Sequence, residues 1–77
     1  MKRTILIVED NVGLSQIKKD WLSRAGYDAV TAMSEPIARS LIRKTQFDLI
    51  LSDVRLPEGD GISLLEWLRK EKKDIPF

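Results

Sequence analysis

Three carboxylates draw attention by their position. Glu9 and Asp10 stand directly behind the apolar run Ile5-Leu6-Ile7-Val8, and Asp53 stands behind Leu49-Ile50-Leu51, one residue removed. If the two runs are neighbouring strands, the three acids share one crevice. Like charges in one crevice raise one another's pKa values, and a cation relieves the crowding. Mg²⁺ suits the task, because it takes hard oxygen ligands in an octahedron and keeps several waters. Asp10 and Asp53 are the expected direct ligands. Glu9 is one bond longer and reaches the ion directly or through water. A backbone carbonyl from the loop after Asp53 can complete the set. Taken singly, Asp10 reads as a helix cap, Asp53 as a turn cap, and Glu9 as nothing in particular. The conjunction of all three is what points to a metal site.

That conjunction depends on the elements that carry the acids. Ile5-Leu6-Ile7-Val8 is a continuous, β-branched-rich run, as in a strand buried on both faces. Asp10 or Asn11 can cap the helix that follows, whose apolar residues Leu14, Ile17, Trp21, Leu22 and Ala25 form one face, with Gly26 as its stop. A second strand centres on Ala29-Val30-Thr31. Ser34 then caps a helix with Pro36 in its first turn and Ile37, Ala38, Leu41 and Ile42 as its inward stripe. After the third strand comes a loop holding Pro57 and Gly59. Asp60 then caps a third helix with Ile62, Leu65 and Leu68 inward. The reading places strands at about 4–8, 27–32 and 48–53, and helices at about 12–25, 35–45 and 61–72. Asp74-Ile75-Pro76-Phe77 looks like the approach to a fourth strand. Strands alternating with helices over short links imply an α/β fold with a parallel sheet and right-handed crossovers. In such sheets sites form beyond the carboxyl ends of the strands, where these acids stand.

Composition narrows the field. With 77 residues the chain makes at most one small domain, and without Cys or His it has neither disulfides nor Cys/His zinc sites to support it. A net charge of +1 implies no nucleic-acid partner. Arg69-Lys70-Glu71-Lys72-Lys73 reads as a solvated helix end, its cations near the negative pole of the helix dipole. No stretch approaches the roughly 20 apolar residues that span a bilayer, and Glu9-Asp10 cuts short the one faintly signal-like start. The expected setting is the cytoplasm. No Gly-x-Gly-x-x-Gly and no Gly-x-x-x-x-Gly-Lys is present, so nucleotide-binding α/β folds are unsupported.

The segments Ile5-Leu6-Ile7-Val8-Glu9-Asp10-Asn11, 48–57 (Asp-Leu-Ile-Leu-Ser-Asp-Val-Arg-Leu-Pro) and Gly59-Asp60-Gly61 resemble, in register over the whole chain, the receiver domains of two-component response regulators. The resemblance implies a flavodoxin-like parallel sheet with helices on both faces, here 1–77 as a partial domain of about three strands in the order 2-1-3 and three helices. It implies Asp53 as phosphoacceptor, and Mg²⁺ held among Glu9, Asp10, Asp53 and the main-chain carbonyl of Arg55. It implies Pro57 and Gly61 as residues that shape the loop and let the third helix start close to the site. The implied partner is a histidine kinase or phosphotransfer protein, and the implied role is a phosphorelay switch, of the transcription-regulating kind, rather than a turnover enzyme.

The chain departs from the family in ending before its fourth and fifth strands, which carry a Ser or Thr and a Lys with functional roles. An open third-strand edge predicts self-association of a chain of this length. Two alternatives stand beside the switch: an interaction or dimerisation module with an idle acidic pocket, and an Mg²⁺-dependent phosphatase working through an aspartyl phosphate. The latter typically shows Asp-x-Asp after its first strand, a pattern that Asp53-Val54-Arg55 breaks.

Overall fold

The computed structural model describes residues 3–52, 55–56 and 59–71, with the backbone alone for 55, 56 and 59–63. Strand β1 (Thr4–Val8) is central, with β2 (Asp28–Ala32) parallel on one side and β3 (Leu49–Ser52) parallel on the other, in the order β2-β1-β3. Helix α1 (Val12–Arg24) links β1 to β2, and α2 (Glu35–Lys44) links β2 to β3. Beyond β3 a two-residue antiparallel ladder joins β4 (Arg55–Leu56) to β5 (Gly59–Asp60), and α3 (Gly61–Lys70) follows directly. The sequence predicts a plain loop here, because a pairing only two residues deep leaves no alternation to read. Among the described residues no helix is long and apolar enough to cross a membrane.

Local chemistry sets the helix ends. Asn11 Oδ1 accepts from Leu14 N–H at 3.0 Å, which settles the cap of α1 on Asn11. At the other end Gly26 takes φ +94°, a conformation open to glycine and strained for other residues. Gly26 N–H donates to the Ser23 carbonyl and Tyr27 N–H to that of Leu22, which satisfies two of the helix's last carbonyls. Ser34 Oγ caps α2 through Ile37 N–H, with Pro36 inside the first turn. At the start of the sheet, Asp48 N–H donates to the Thr4 carbonyl while Thr4 N–H donates to Asp48 Oδ2, both at 2.8 Å. This reciprocal pair fixes the register of β3 on β1.

The core lies between the sheet and α2–α3. Leu6, Val8 and Ile50 meet Ala38 and Ile42 of α2 and Leu64, Trp67 and Leu68 of α3. Ile5 and Ile7 point to the opposite face and are buried too, so β1 is covered on both sides.

Three expected stripes need correction. On α1 it is Ser15 that is buried and Lys18 and Leu22 that are half-buried, whereas Leu14, Ile17, Trp21 and Ala25 are exposed. The helix is turned by one residue, about 100°, from the face its apolar residues suggest. On α2, Ile37 is exposed and Glu35, paired with Arg39 at 2.8 Å, is buried. On α3 the inward residues are Leu64, Trp67 and Leu68, with Leu65 half-buried; the side chain of Ile62 lies outside the described set.

Candidate functional site

Register brings the acid-bearing strand ends together. Val8, the residue before Glu9, pairs with Ala32 of β2 on one side and Ser52 of β3 on the other. Glu9 N–H extends the sheet by one more bond, to the Ala32 carbonyl at 2.9 Å. Asp10 follows at the surface, and Asn11 begins α1. Ser52 is the residue before Asp53 in sequence. Asp53 itself and Pro57 lie outside the described residues.

Glu9 is the buried acid of the site, its side chain only 3% exposed. Both carboxylate oxygens have partners: Lys18 Nζ donates to Oε1 at 2.6 Å, and Asn11 N–H donates to Oε2 at 3.3 Å. The Lys18 hydrogen bond holds the Glu9 carboxyl below its ordinary value; burial pushes it up, but the Asn11 N–H, the Lys18 charge and the Asp10 side chain add to the lowering. Glu9 is thus a carboxylate at neutral pH, and its charge is met by the Lys18 ammonium of this same chain.

Lys18 was not among the residues read as functional from sequence. The available signal was a lysine three residues after Ser15 and four before Leu22, on the stripe of α1 that faces the sheet. The apolar face Leu14, Ile17, Trp21, Leu22 and Ala25 shares only Leu22 with that stripe.

Asp10 and Glu9 offer carboxylate oxygens only, which fits a hard divalent cation such as Mg²⁺ and does not fit a soft metal. Among the described residues no three acidic, His or Cys side chains gather as a metal cluster. On the third-strand side, the Arg55 backbone is held by its pairing with Asp60, and Gly61 is the first residue of α3. The β4–β5 ladder thus brings the chain back from the β3 loop directly into the helix.

The family model for the response regulator receiver domain matches residues 5–77. The chain belongs to this family. The receiver domain is 35% identical over 78 residues to the polar-differentiation response regulator DivK of Brucella ovis, covering 99% of this chain and 63% of that protein. Among solved structures it resembles the non-phosphorylated HemR receiver domain of Leptospira biflexa, at 41% identity and a TM-score of 0.90, over 99% of this chain and 61% of the other. It also resembles the response regulator TrrA of Thermotoga maritima, solved in complex with Mg²⁺-BeF, at 29% identity and a TM-score of 0.89, over 95% and 64% of the two chains. The receiver domain here therefore spans a little under two thirds of the curated relatives it matches. The expected fold, a flavodoxin-like parallel sheet in the order 2-1-3 with three helices, is the fold observed. Receiver domains are signalling modules rather than classical enzymes.

Proposed function

We propose that this receiver domain accepts a phosphoryl group on Asp53 from a histidine kinase or phosphotransfer protein, with Mg²⁺ bound at the Glu9–Asp10 end of β1. The observation that carries the reading is the register of β1. Val8 pairs with Ser52, so the acidic pair begins one residue beyond β1 where Asp53 begins one residue beyond β3. Asp10, Asp53 and the Arg55 carbonyl are the proposed direct ligands, with Glu9 beside them. Bound there, Mg²⁺ supplies charge neutralisation at the carboxylate and the transferring oxygens.

The chain's own part is positioning. An Asp53 carboxylate oxygen attacks the phosphorus in line; the O–P bond forms as the P–N bond to the donor histidine breaks, and the imidazole leaves with that electron pair. Pro57 and Gly61 set the loop and the helix start around the acceptor. The added charge then biases a two-state surface elsewhere in the domain. The proposed setting is the cytoplasm, and the proposed output of the whole protein is regulation of transcription, an analogy at the level of fold.

Acetyl phosphate with Mg²⁺, followed by intact mass, is expected to show one phosphoryl adduct, which Asp53→Asn abolishes. An unchanged adduct in Asp53→Asn, or none in the parent chain, sinks the assignment. Self-association through the β3 edge is proposed on a separate ground, since among the described strands β3 has a paired neighbour on one side alone. Light scattering at low micromolar concentration is expected to give a dimer or larger species, and a well-dispersed monomer counts against it.

A further inference from the structure

We propose that Lys18 is a built-in counter-ion of the cation site, one that occupies Glu9 and weakens Mg²⁺ binding by competing for that carboxylate. The inference rests on the reading of the β1 acids as a cation site and adds a residue to it. Glu9 is almost wholly buried, and Lys18, 37% exposed, reaches it from the second turn of α1 at 2.6 Å. With Asn11 N–H on the other oxygen, neither oxygen of Glu9 is left without a donor. For Glu9 to turn toward a metal, or to lend it full negative charge through a water, the ammonium must be displaced. Asp10, by contrast, is exposed at the same strand end. The two neighbouring acids are therefore unequal: Asp10 is the accessible ligand, and Glu9 is a reserve of charge already compensated by the protein.

The pairing is possible because α1 turns Ser15, Lys18 and Leu22 to the sheet. A lysine on that stripe has its stem against the sheet and its ammonium at the strand's carboxyl end. Lys18 does not touch the phosphoryl group in this proposal; it is a positioning residue that acts through Glu9.

Calorimetric titration of the full chain with MgCl₂ at neutral pH tests it. Lys18→Met is expected to tighten Mg²⁺ about tenfold, the effect of one unit charge removed at short range near a protein surface. Lys18→Arg is expected to keep the parent affinity within about threefold, because a guanidinium still pairs with a carboxylate. In a Glu9→Gln background, Lys18→Met is expected to change the affinity less than about twofold, since Gln offers no charge to compete for. Circular dichroism checks that each variant is folded, and Lys18→Gln replaces Lys18→Met if the latter is not. Equal or weaker binding in Lys18→Met overturns the inference while leaving the cation site standing. A full tenfold gain that persists in Glu9→Gln also overturns it, by making Lys18 a remote charge rather than the counter-ion of Glu9. Absence of Mg²⁺ binding in the parent and in Lys18→Met alike overturns the cation site itself, and the inference with it.

Discussion

On the α2–α3 face of the sheet, Trp67 is 9% exposed and lies among Leu64, Leu68 and Ile42, with two guanidinium groups over its ring. On the α1 face, Trp21 is 67% exposed, and Leu14 and Ile17 stand clear of the sheet beside it. A cavity of about 360 Å³ opens on that side, lined by Ile5, Leu22, Tyr27, Leu49 and Leu51 among others. The difference teaches that an apolar stripe alone does not decide how a helix docks. Helix α1 presents a small buried serine, a lysine and Leu22 to the sheet, and through that lysine it meets the acid at the end of β1. One face of the sheet therefore carries the larger buried cluster, and the other carries the Glu9–Lys18 pair.

Side-chain truncation on the two faces gives the largest contrast. Trp67→Ala is expected to cost about 3–5 kcal/mol and Leu64→Ala about 2–5 kcal/mol, because each leaves a hole in a packed cluster. Trp21→Ala is expected to stay within about 0.5 kcal/mol of the parent. Urea unfolding followed by circular dichroism measures all three. A Trp21→Ala loss as large as that of Trp67→Ala would mean that the α1 face is buried in solution, which is also what self-association through it would produce.

How much of this was legible in the sequence follows the same division. The strands and the place of Glu9 and Asp10 after β1 came from short apolar runs and their flanking charges, which are local signals, whereas the strand order came from the resemblance to receiver domains. The cap Ser34 and the stop at Gly26 were legible, and the cap of α1 was narrowed to Asp10 or Asn11, because backbone chemistry selects those residue types directly. The rotation of α1 was not, since Leu14, Ile17 and Trp21 form a better apolar stripe than the residues that dock. The choice between the two stripes depends on what the sheet and its neighbours leave room for. Trp67 was missed for a related reason: a stripe read as Ile62, Leu65 and Leu68 includes the buried Leu68 but passes beside Leu64 and Trp67. Of the site, Glu9 and Asp10 fall at the end of β1 beside Ser52, but the pairing of Glu9 with Lys18 joins residues nine apart across a turn, and no periodicity reveals it.

A smaller effect is expected at the end of α1, where the sparsely covered helix depends on its own terminal chemistry. Gly26→Ala forces a Cβ into a backbone conformation at φ +94°, and although nothing stands within 4 Å of that Cβ, the strain is in the backbone itself. The expected cost is about 1–2 kcal/mol. Asn11→Ala removes the acceptor for Leu14 N–H and is expected to cost about 1 kcal/mol. Thermal melts of the two variants measure both. If neither moves the midpoint, α1 is held by contacts on its exposed face that the isolated chain does not show, and the contrast between the faces weakens.

The smallest expected effect concerns the cations over Trp67. Both Arg39 and Arg43 place their guanidinium carbon 5.3 Å from the ring centroid, whereas among the described residues no cation sits over Trp21. The two arginines are not equivalent probes. Arg39 also pairs with the buried Glu35 at 2.8 Å, so Arg39→Ala strands a carboxylate as well as removing a stacking cation. Arg43→Ala isolates the stacking contribution, expected at about 0.5–1 kcal/mol for a partly exposed pair. A double-mutant cycle of Arg43→Ala with Trp67→Leu, read from denaturant midpoints, is expected to return a coupling of that size. Zero coupling would mean that Arg43 only shields the ring from water, and that the buried indole owes its place to Leu64, Leu68 and Ile42 alone.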